Sequence, residues 1–154
     1  SVAPVASLGS KNIPVFANRG LSGIDGTIST ARGIAHAASA SGASGITRVL
    51  LGDLAFLHDV GSLLREPQVE HPSRVHLFVA NDGGGSIFDG LEVAQSASTE
   101  DRDRVLFTPH DVDLEALAGA YGWAYLRVVS MGELTDALGL SDSHLIIDVG
   151  LDRA

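Results

Sequence analysis

Five runs of the chain are apolar at most positions: Asn12 to Ala17 (through Ile13, Val15 and Phe16), Thr47 to Leu51, Val75 to Ala80, Tyr125 to Val129 and His144 to Val149. They read as strands. The runs at 47–51, 75–80 and 144–149 leave almost no polar face, which implies a parallel sheet covered by helices on both sides. The segments between them change period. Leu54, Leu57, Val60, Leu63 and Leu64 fall at helical spacing. Ser29 to Ala40 reads as a helix of small residues that packs close to a sheet. Asp113 to Tyr121 reads as a helix with Leu114, Leu117 and Ala118 inward and Asp111 or Asp113 near its cap. Met131 to Leu138 is a further helix. Ser39 to Gly45 is a surface linker, Pro67 and Pro72 bound a connection, and the polar stretch Gln95 to Arg104 reads as an exposed or mobile loop. The β-α-β alternation predicts an α/β fold, a doubly wound and mainly parallel sheet with right-handed crossovers and helices on both faces. A single domain over residues 1–154 is expected. Ligands of such sheets lie beyond the carboxyl ends of the strands.

Composition narrows this picture. A chain of 154 residues with 45% hydrophobic residues can bury a proper core. The net charge of −9 argues against a nucleic-acid surface, which needs clustered Lys and Arg. The absence of Cys excludes disulfides, thiolate catalysis and Cys–zinc sites. No apolar run approaches a membrane span. Ser1 to Ser10 lacks the basic start and apolar core of a signal peptide, so a cytoplasmic location is expected.

The candidate chemistry sits at two strand ends. Leu51-Gly52-Asp53-Leu54 follows one apolar run and Asn81-Asp82-Gly83-Gly84-Gly85 follows the next. Taken alone, Asp53 reads first as a helix N-cap, and the glycines as a turn without a ligand. Together they read differently, because consecutive β-α-β units bring such ends to one sheet edge. Asp53 and Asp82 would then each offer a carboxylate oxygen to Mg²⁺, and a carbonyl of Gly83 or Gly84 could complete the protein's share. Successive glycine N–H groups could also form an anion-binding nest. Arg19 to Thr30 is a third candidate: Arg19 can grip a carboxylate bidentately, Ile24 can wedge against a ring, and Asp25 reads as a helix cap. His58 and His110 could face the site, but read first as partly exposed polar positions. The six His show no metal-ligand spacing, and Gly-x-Ser-x-Gly, Gly-x-Gly-x-x-Gly and P-loop patterns are absent. That disfavours nicotinamide and nucleoside-triphosphate enzymes.

Gly52-Asp53 followed by Asn81-Asp82-Gly83-Gly84 resembles the metal-diphosphate motif of thiamine-diphosphate enzymes. With Asn18-Arg19-Gly20-Leu21-Ser22-Gly23-Ile24-Asp25-Gly26, Gly52 to Asp59, and Gly84-Gly85-Ser86-Ile87-Phe88, the chain from Asn12 onward resembles the 2-succinyl-5-enolpyruvyl-6-hydroxy-3-cyclohexene-1-carboxylate synthases of menaquinone biosynthesis. The resemblance implies a thiamine-diphosphate-binding fold and a transferase. Its reaction decarboxylates 2-oxoglutarate and adds the resulting succinyl semialdehyde carbanion to isochorismate. The implied cofactors are thiamine diphosphate and Mg²⁺ or Mn²⁺. Asp53, Asp82 and the Gly84 carbonyl match the metal ligands, with Asn81 as the alternative to Asp82. Gly52, with the Leu54 and Ala55 N–H groups, matches the diphosphate loop. Ile24 matches the residue that bends the cofactor, and Ile87 its apolar wall. Arg19, Ile87, Phe88 and Leu91 match the substrate side. The resemblance also implies one domain of a three-domain enzyme that is a homodimer or tetramer. The cofactor-activating Glu lies in another domain, and this chain alone lacks turnover. An acetolactate-synthase-like enzyme and a non-catalytic α/β binding module remain the competing readings.

Overall fold

The computed structural model describes residues 13–18, 23–65, 73–92 and 96–153. The elements in chain order are α1 (Thr27–Ala40), β1 (Thr47–Gly52), α2 (Asp53–His58), a 3-10 turn (Val60–Leu63), β2 (Val75–Asn81), a second 3-10 turn (Ser86–Phe88), α3 (Thr99–Arg102), a π-helical turn (Asp103–Phe107), α4 (Leu114–Tyr121), β3 (Ala124–Val128), α5 (Met131–Ala137) and β4 (His144–Gly150). The four strands are all parallel, in the order β1-β2-β4-β3. The expected doubly wound α/β sheet is therefore present.

The apolar runs explain the order. β2 and β4, the most continuously apolar, take the centre, and β1 and β3 take the edges. Alternate residues of each strand feed opposite cores. Val75, Leu77 and Val79 of β2 and Ile146 of β4 pack with Ile28, Phe56, Leu63, Leu114 and Trp123 on one face. Phe78, Leu145 and Ile147 pack with Val128 and Ala137 on the other. Each fully buried large side chain contributes about 1.5–3 kcal/mol. Connections that advance along the sheet carry their helices on the first face. The return from β3 to β4 places α5 on the second, as right-handed crossovers require. The small residues Ala31 and Ala35 let α1 lie close to the sheet.

Three expectations need correction. The described part of the run Asn12 to Ala17 is not a strand: residues 13–17 pair with no described strand, and Ile13, Val15 and Phe16 are exposed. Pro14 in its middle removes a ladder donor. The helix expected from Leu54 to Leu64 breaks after His58. Asp59 leaves the helix to serve α1 instead: its Oδ2 accepts the N–H groups of Ile28 (2.7 Å) and Ser29 (3.1 Å), and its Oδ1 accepts the Ser62 hydroxyl (2.6 Å). Asp25 is accordingly not the cap of α1. Gly26 holds that position at φ 65°, and Asp59 supplies the carboxylate from a distance. Third, the described part of the stretch 95–104 is ordered. Ser98 caps α3 by accepting the Asp101 N–H at 3.1 Å, and the chain runs on into the π-helical turn.

A half-buried histidine makes stability depend on pH. His144 starts β4 with its ring edge-on to Trp123, centroids 4.8 Å apart. Burial lowers its pKa below 6.5, helped by the charges of Arg65, Arg32 and His76. The unfolded chain then binds more protons than the folded one between the lowered pKa and about 6.5. The His144 contribution is fully present above that window and is lost as pH falls through it. Thermal melts should therefore drop between pH 7 and pH 5 more in the native chain than in His144→Phe. Parallel slopes would refute the assignment.

Candidate functional site

The carboxyl ends of β1 and β2 are joined by one side chain. Asp53, only 2% exposed, is the first residue of α2. It is not an N-cap; Gly52 occupies that position. The Asp53 carboxylate looks across to the next strand end instead. Its Oδ1 accepts the Leu54 N–H at 2.6 Å, and its Oδ2 accepts the Gly84 N–H at 2.9 Å. The register Gly52↔Ala80 sets the two ends side by side.

Backbone, not side chain, forms the floor of the glycine run. Gly83 sits at φ 79°, where L-residues are strained. A Cβ on Gly84 would lie 2.6 Å from the Phe107 carbonyl oxygen and 2.8 Å from its ring. One on Gly85 would meet the Leu106 carbonyl at 3.0 Å. The segment pressed against these glycines is the π-helical turn, closed by Thr108 at φ 51°. Thr108 is the one non-glycine residue with positive φ among those described. A β-branched residue there is strained, and π-turns recur at functional sites. Arg153 fastens this turn from outside. It pairs with Asp89 (3.0 and 3.1 Å) and Asp103 (2.8 Å), and its guanidinium lies 3.7 Å from the Phe107 ring centroid.

Of the two histidines that could face the site, His110 does reach it. Its ring is 12% exposed, and Nε2 lies 3.2 Å from Asp53 Oδ2. His58 does not join it; at half exposure it pairs with Asp25 at 3.5 Å. Asp82 is half-buried and makes no hydrogen bond or ion pair with another described residue. Asn81 is committed inward. Its Oδ1 accepts the Gly83 N–H at 3.1 Å and its Nδ2 donates to Asp148 at 3.0 Å.

Behind Asn81 lies a polar network, centred on one buried carboxylate, that no motif announced. Asp148 on β4 is buried, and its Oδ2 accepts the Tyr125 hydroxyl (2.8 Å) and Arg127 Nη1 (2.6 Å), both from β3. Burial and the adjacent carboxylate push the Tyr125 phenol up to about 12. The Asp148 charge raises Arg127 further above its ordinary value.

The apolar candidates are presented rather than buried: Ile24, Phe88 and Leu91 are exposed, and Ile87 is 82% exposed. Arg19 lies outside the described residues. Gly52 and Ala55 occupy the β1–α2 junction beside Asp53. The Leu54 N–H is held by the Asp53 carboxylate.

No protein-family profile matches the chain. Individual relatives do. A protein of Clavibacter michiganensis subsp. michiganensis named 2-succinyl-5-enolpyruvyl-6-hydroxy-3-cyclohexene-1-carboxylate synthase is 56% identical over 151 residues, 96% of this chain and 26% of the relative. Over that segment the chain is similar to this synthase family. Synthases of the same name from Leifsonia xyli and an Arthrobacter strain are 51% and 46% identical over 93% and 91% of the chain. The chain spans about a quarter of the length of these curated relatives. Solved structures agree on the fold. Benzoylformate decarboxylase from Polynucleobacter necessarius superimposes with a TM-score of 0.63 at 25% identity, over 82% of this chain and 23% of that one. The thiamine diphosphate-dependent 4-hydroxybenzoylformate decarboxylase of Rhodococcus jostii RHA1 gives 0.59 at 22% identity, over 78% and 22%. Among the described residues no helix is long and apolar enough to cross a membrane.

Proposed function

We propose that this chain is the cofactor-diphosphate and Mg²⁺ domain of a cytoplasmic, homo-oligomeric menaquinone-pathway synthase. That transferase joins the decarboxylation product of 2-oxoglutarate to isochorismate. The observation that carries the reading is the Asp53–Gly84 bond: one buried carboxylate ties together the two strand ends whose residues match the family's metal-diphosphate motif. The synthase name shared by relatives 46–56% identical supports it over the other thiamine-diphosphate enzymes.

The donor set fits a hard divalent cation. It consists of carboxylate and carbonyl oxygens, on a floor too tight to admit a side chain at Gly84. Among the described residues no three His, Asp or Glu side chains form a metal site by themselves. The cation would therefore share its shell with phosphate oxygens, as Mg²⁺ usually does. Asp53, Asp82 and the Gly84 carbonyl are its protein ligands in this reading. Asn81 is the alternative ligand, its oxygen already accepting the Gly83 N–H. Mn²⁺ presents the same oxygen preference. Thiamine diphosphate, when bound, supplies the electron sink for decarboxylation. The residues of this chain anchor and orient. Asp53 holds the two strand ends together, and His110 backs its carboxylate. Leu54 and Ala55 open α2 toward the diphosphate. Ile24, Ile87, Phe88 and Leu91 offer the apolar surface for the rings and, with Arg19, the substrates.

Calorimetric titration of thiamine diphosphate into the chain, with and without Mg²⁺, tests the reading. Weak binding that requires Mg²⁺ is expected, because the other domains complete the site. The longer protein should turn over 2-oxoglutarate with isochorismate. No Mg²⁺-dependent binding in either form, with no product from the longer one, would rule the reading out.

A further inference from the structure

The Asp148 network ends on the glycine run, and its chemistry fixes an orientation there. A carboxylate can only accept hydrogen bonds, whereas a primary amide has one end that donates and one that accepts. Asp148 Oδ2 is filled by two donors, Tyr125 Oη and Arg127 Nη1, at 2.8 and 2.6 Å. Its Oδ1 faces the Asn81 side chain at 3.0 Å. Asn81 must then turn its NH₂ toward Asp148. That leaves its oxygen to take the Gly83 N–H, at 3.1 Å, where the backbone swings to φ 79°. The next residue, Gly84, is the one whose N–H meets Asp53.

We infer that Asp148 is a positioning residue for the glycine loop: through Asn81 it dictates the amide orientation that captures the Gly83 N–H, and so sets the backbone between Asp82 and Gly84. Its importance to cofactor binding rests on the function proposed above; the relay itself does not. Asp148 makes its hydrogen bonds to Asn81, Tyr125 and Arg127, and so reaches the glycine loop only through Asn81. Nothing in the motif residues requires it, because it lies 66 positions and one strand away from Asp82.

The relay makes an unusual demand of a nearly isosteric substitution. In Asp148→Asn, Arg127 can only donate, so the new amide must keep its oxygen toward Arg127 and Tyr125. Its NH₂ then faces Asn81, which must reverse. The reversed Asn81 presents NH₂ to the Gly83 N–H, donor against donor. A carboxylate at position 81 removes the conflict, since it accepts from both sides. Asp148→Asn should therefore break the loop, and Asp148→Asn combined with Asn81→Asp should repair it.

The experiment is amide hydrogen exchange and ¹⁵N–¹H shifts of Gly83 and Gly84 in the native chain, D148N and D148N/N81D, with Mg²⁺-thiamine diphosphate titrations beside them. In D148N the Gly83 amide should exchange about tenfold faster, while amides within β2 stay protected. Mg²⁺-dependent affinity should fall about tenfold, and both should recover in the double variant. Unchanged Gly83 exchange in D148N, or no recovery in D148N/N81D, overturns the inference. Altered exchange with unchanged affinity overturns the positioning role. If D148N does not fold, the double variant decides alone: a folded protein with a protected Gly83 amide supports the relay, and an unfolded one refutes it. A native chain without Mg²⁺-dependent binding counts against the cofactor reading and leaves the exchange data to judge the relay.

Discussion

Replacing Gly84 with Ala should destabilise the fold by about 3 kcal/mol and lower the melting temperature by roughly 10 °C. The added methyl would sit 2.6 Å from a carbonyl oxygen and 2.8 Å from the Phe107 ring. The ring could turn, but the carbonyl belongs to a backbone turn held by the Thr108 N–H bond to Asp103 (2.9 Å) and by Arg153. Relief requires moving the π-helical turn away from β2. Two other glycines calibrate the effect. Gly83→Ala meets its nearest neighbour only at 3.8 Å, but φ 79° should cost about 1 kcal/mol. Gly90→Ala meets nothing within 4 Å and should change little. Thermal melts of the three variants should fall in that order. A Gly84→Ala protein as stable as Gly90→Ala would show that the glycine run is not pressed against residues 106–107.

Much of this was legible in the chain because burial on both faces leaves a strong mark. Val75 to Ala80 and His144 to Val149 are apolar at successive positions because β2 and β4 are covered by helices on either side. The strand-end acids were legible for a related reason. In a parallel sheet, consecutive β-α-β units end at the same edge, so the Gly52–Asp53 end and the glycine run after Asn81 came side by side. Asn12 to Ala17 failed because apolar content was read without the cost of Pro14 to a hydrogen-bonded ladder.

What stayed hidden depends on contacts between distant segments. His110 reaches Asp53 across 57 positions, and Asp59 caps α1 across about 30. No local spacing encodes either. The Asp148 network was invisible for the opposite reason. A lone Asp near the end of an apolar strand reads as the strand's exit, and only the pairing Arg127↔Asp148 supplies its partners. The helix Thr99–Arg102 did have a local signal, Ser98 followed by Glu100 and Asp101, which overall polarity obscured.

The two acids should fail in different ways, and that contrast separates architecture from ligand binding. Asp53→Ala removes the acceptor for two backbone N–H groups and leaves Gly84 N–H buried without a partner. An orphaned buried donor costs about 1–3 kcal/mol, so this variant should melt earlier even without cofactor. It should also lose the Mg²⁺-dependent part of thiamine diphosphate binding, a fall of at least about a hundredfold if a hydrogen-bonded charged ligand is worth about 3 kcal/mol. Asp82→Ala removes a carboxylate with no hydrogen bond or ion pair to another described residue. Its apo stability should match the native chain, and binding should fall comparably. Differential scanning fluorimetry with and without Mg²⁺-thiamine diphosphate reads both quantities, because a ligand that binds only the folded state raises the melting temperature with its concentration. The native chain should show that shift and both variants should lose it, but only Asp53→Ala should start from a lower baseline. If Asp82→Ala keeps the shift, Asp82 is not a metal ligand.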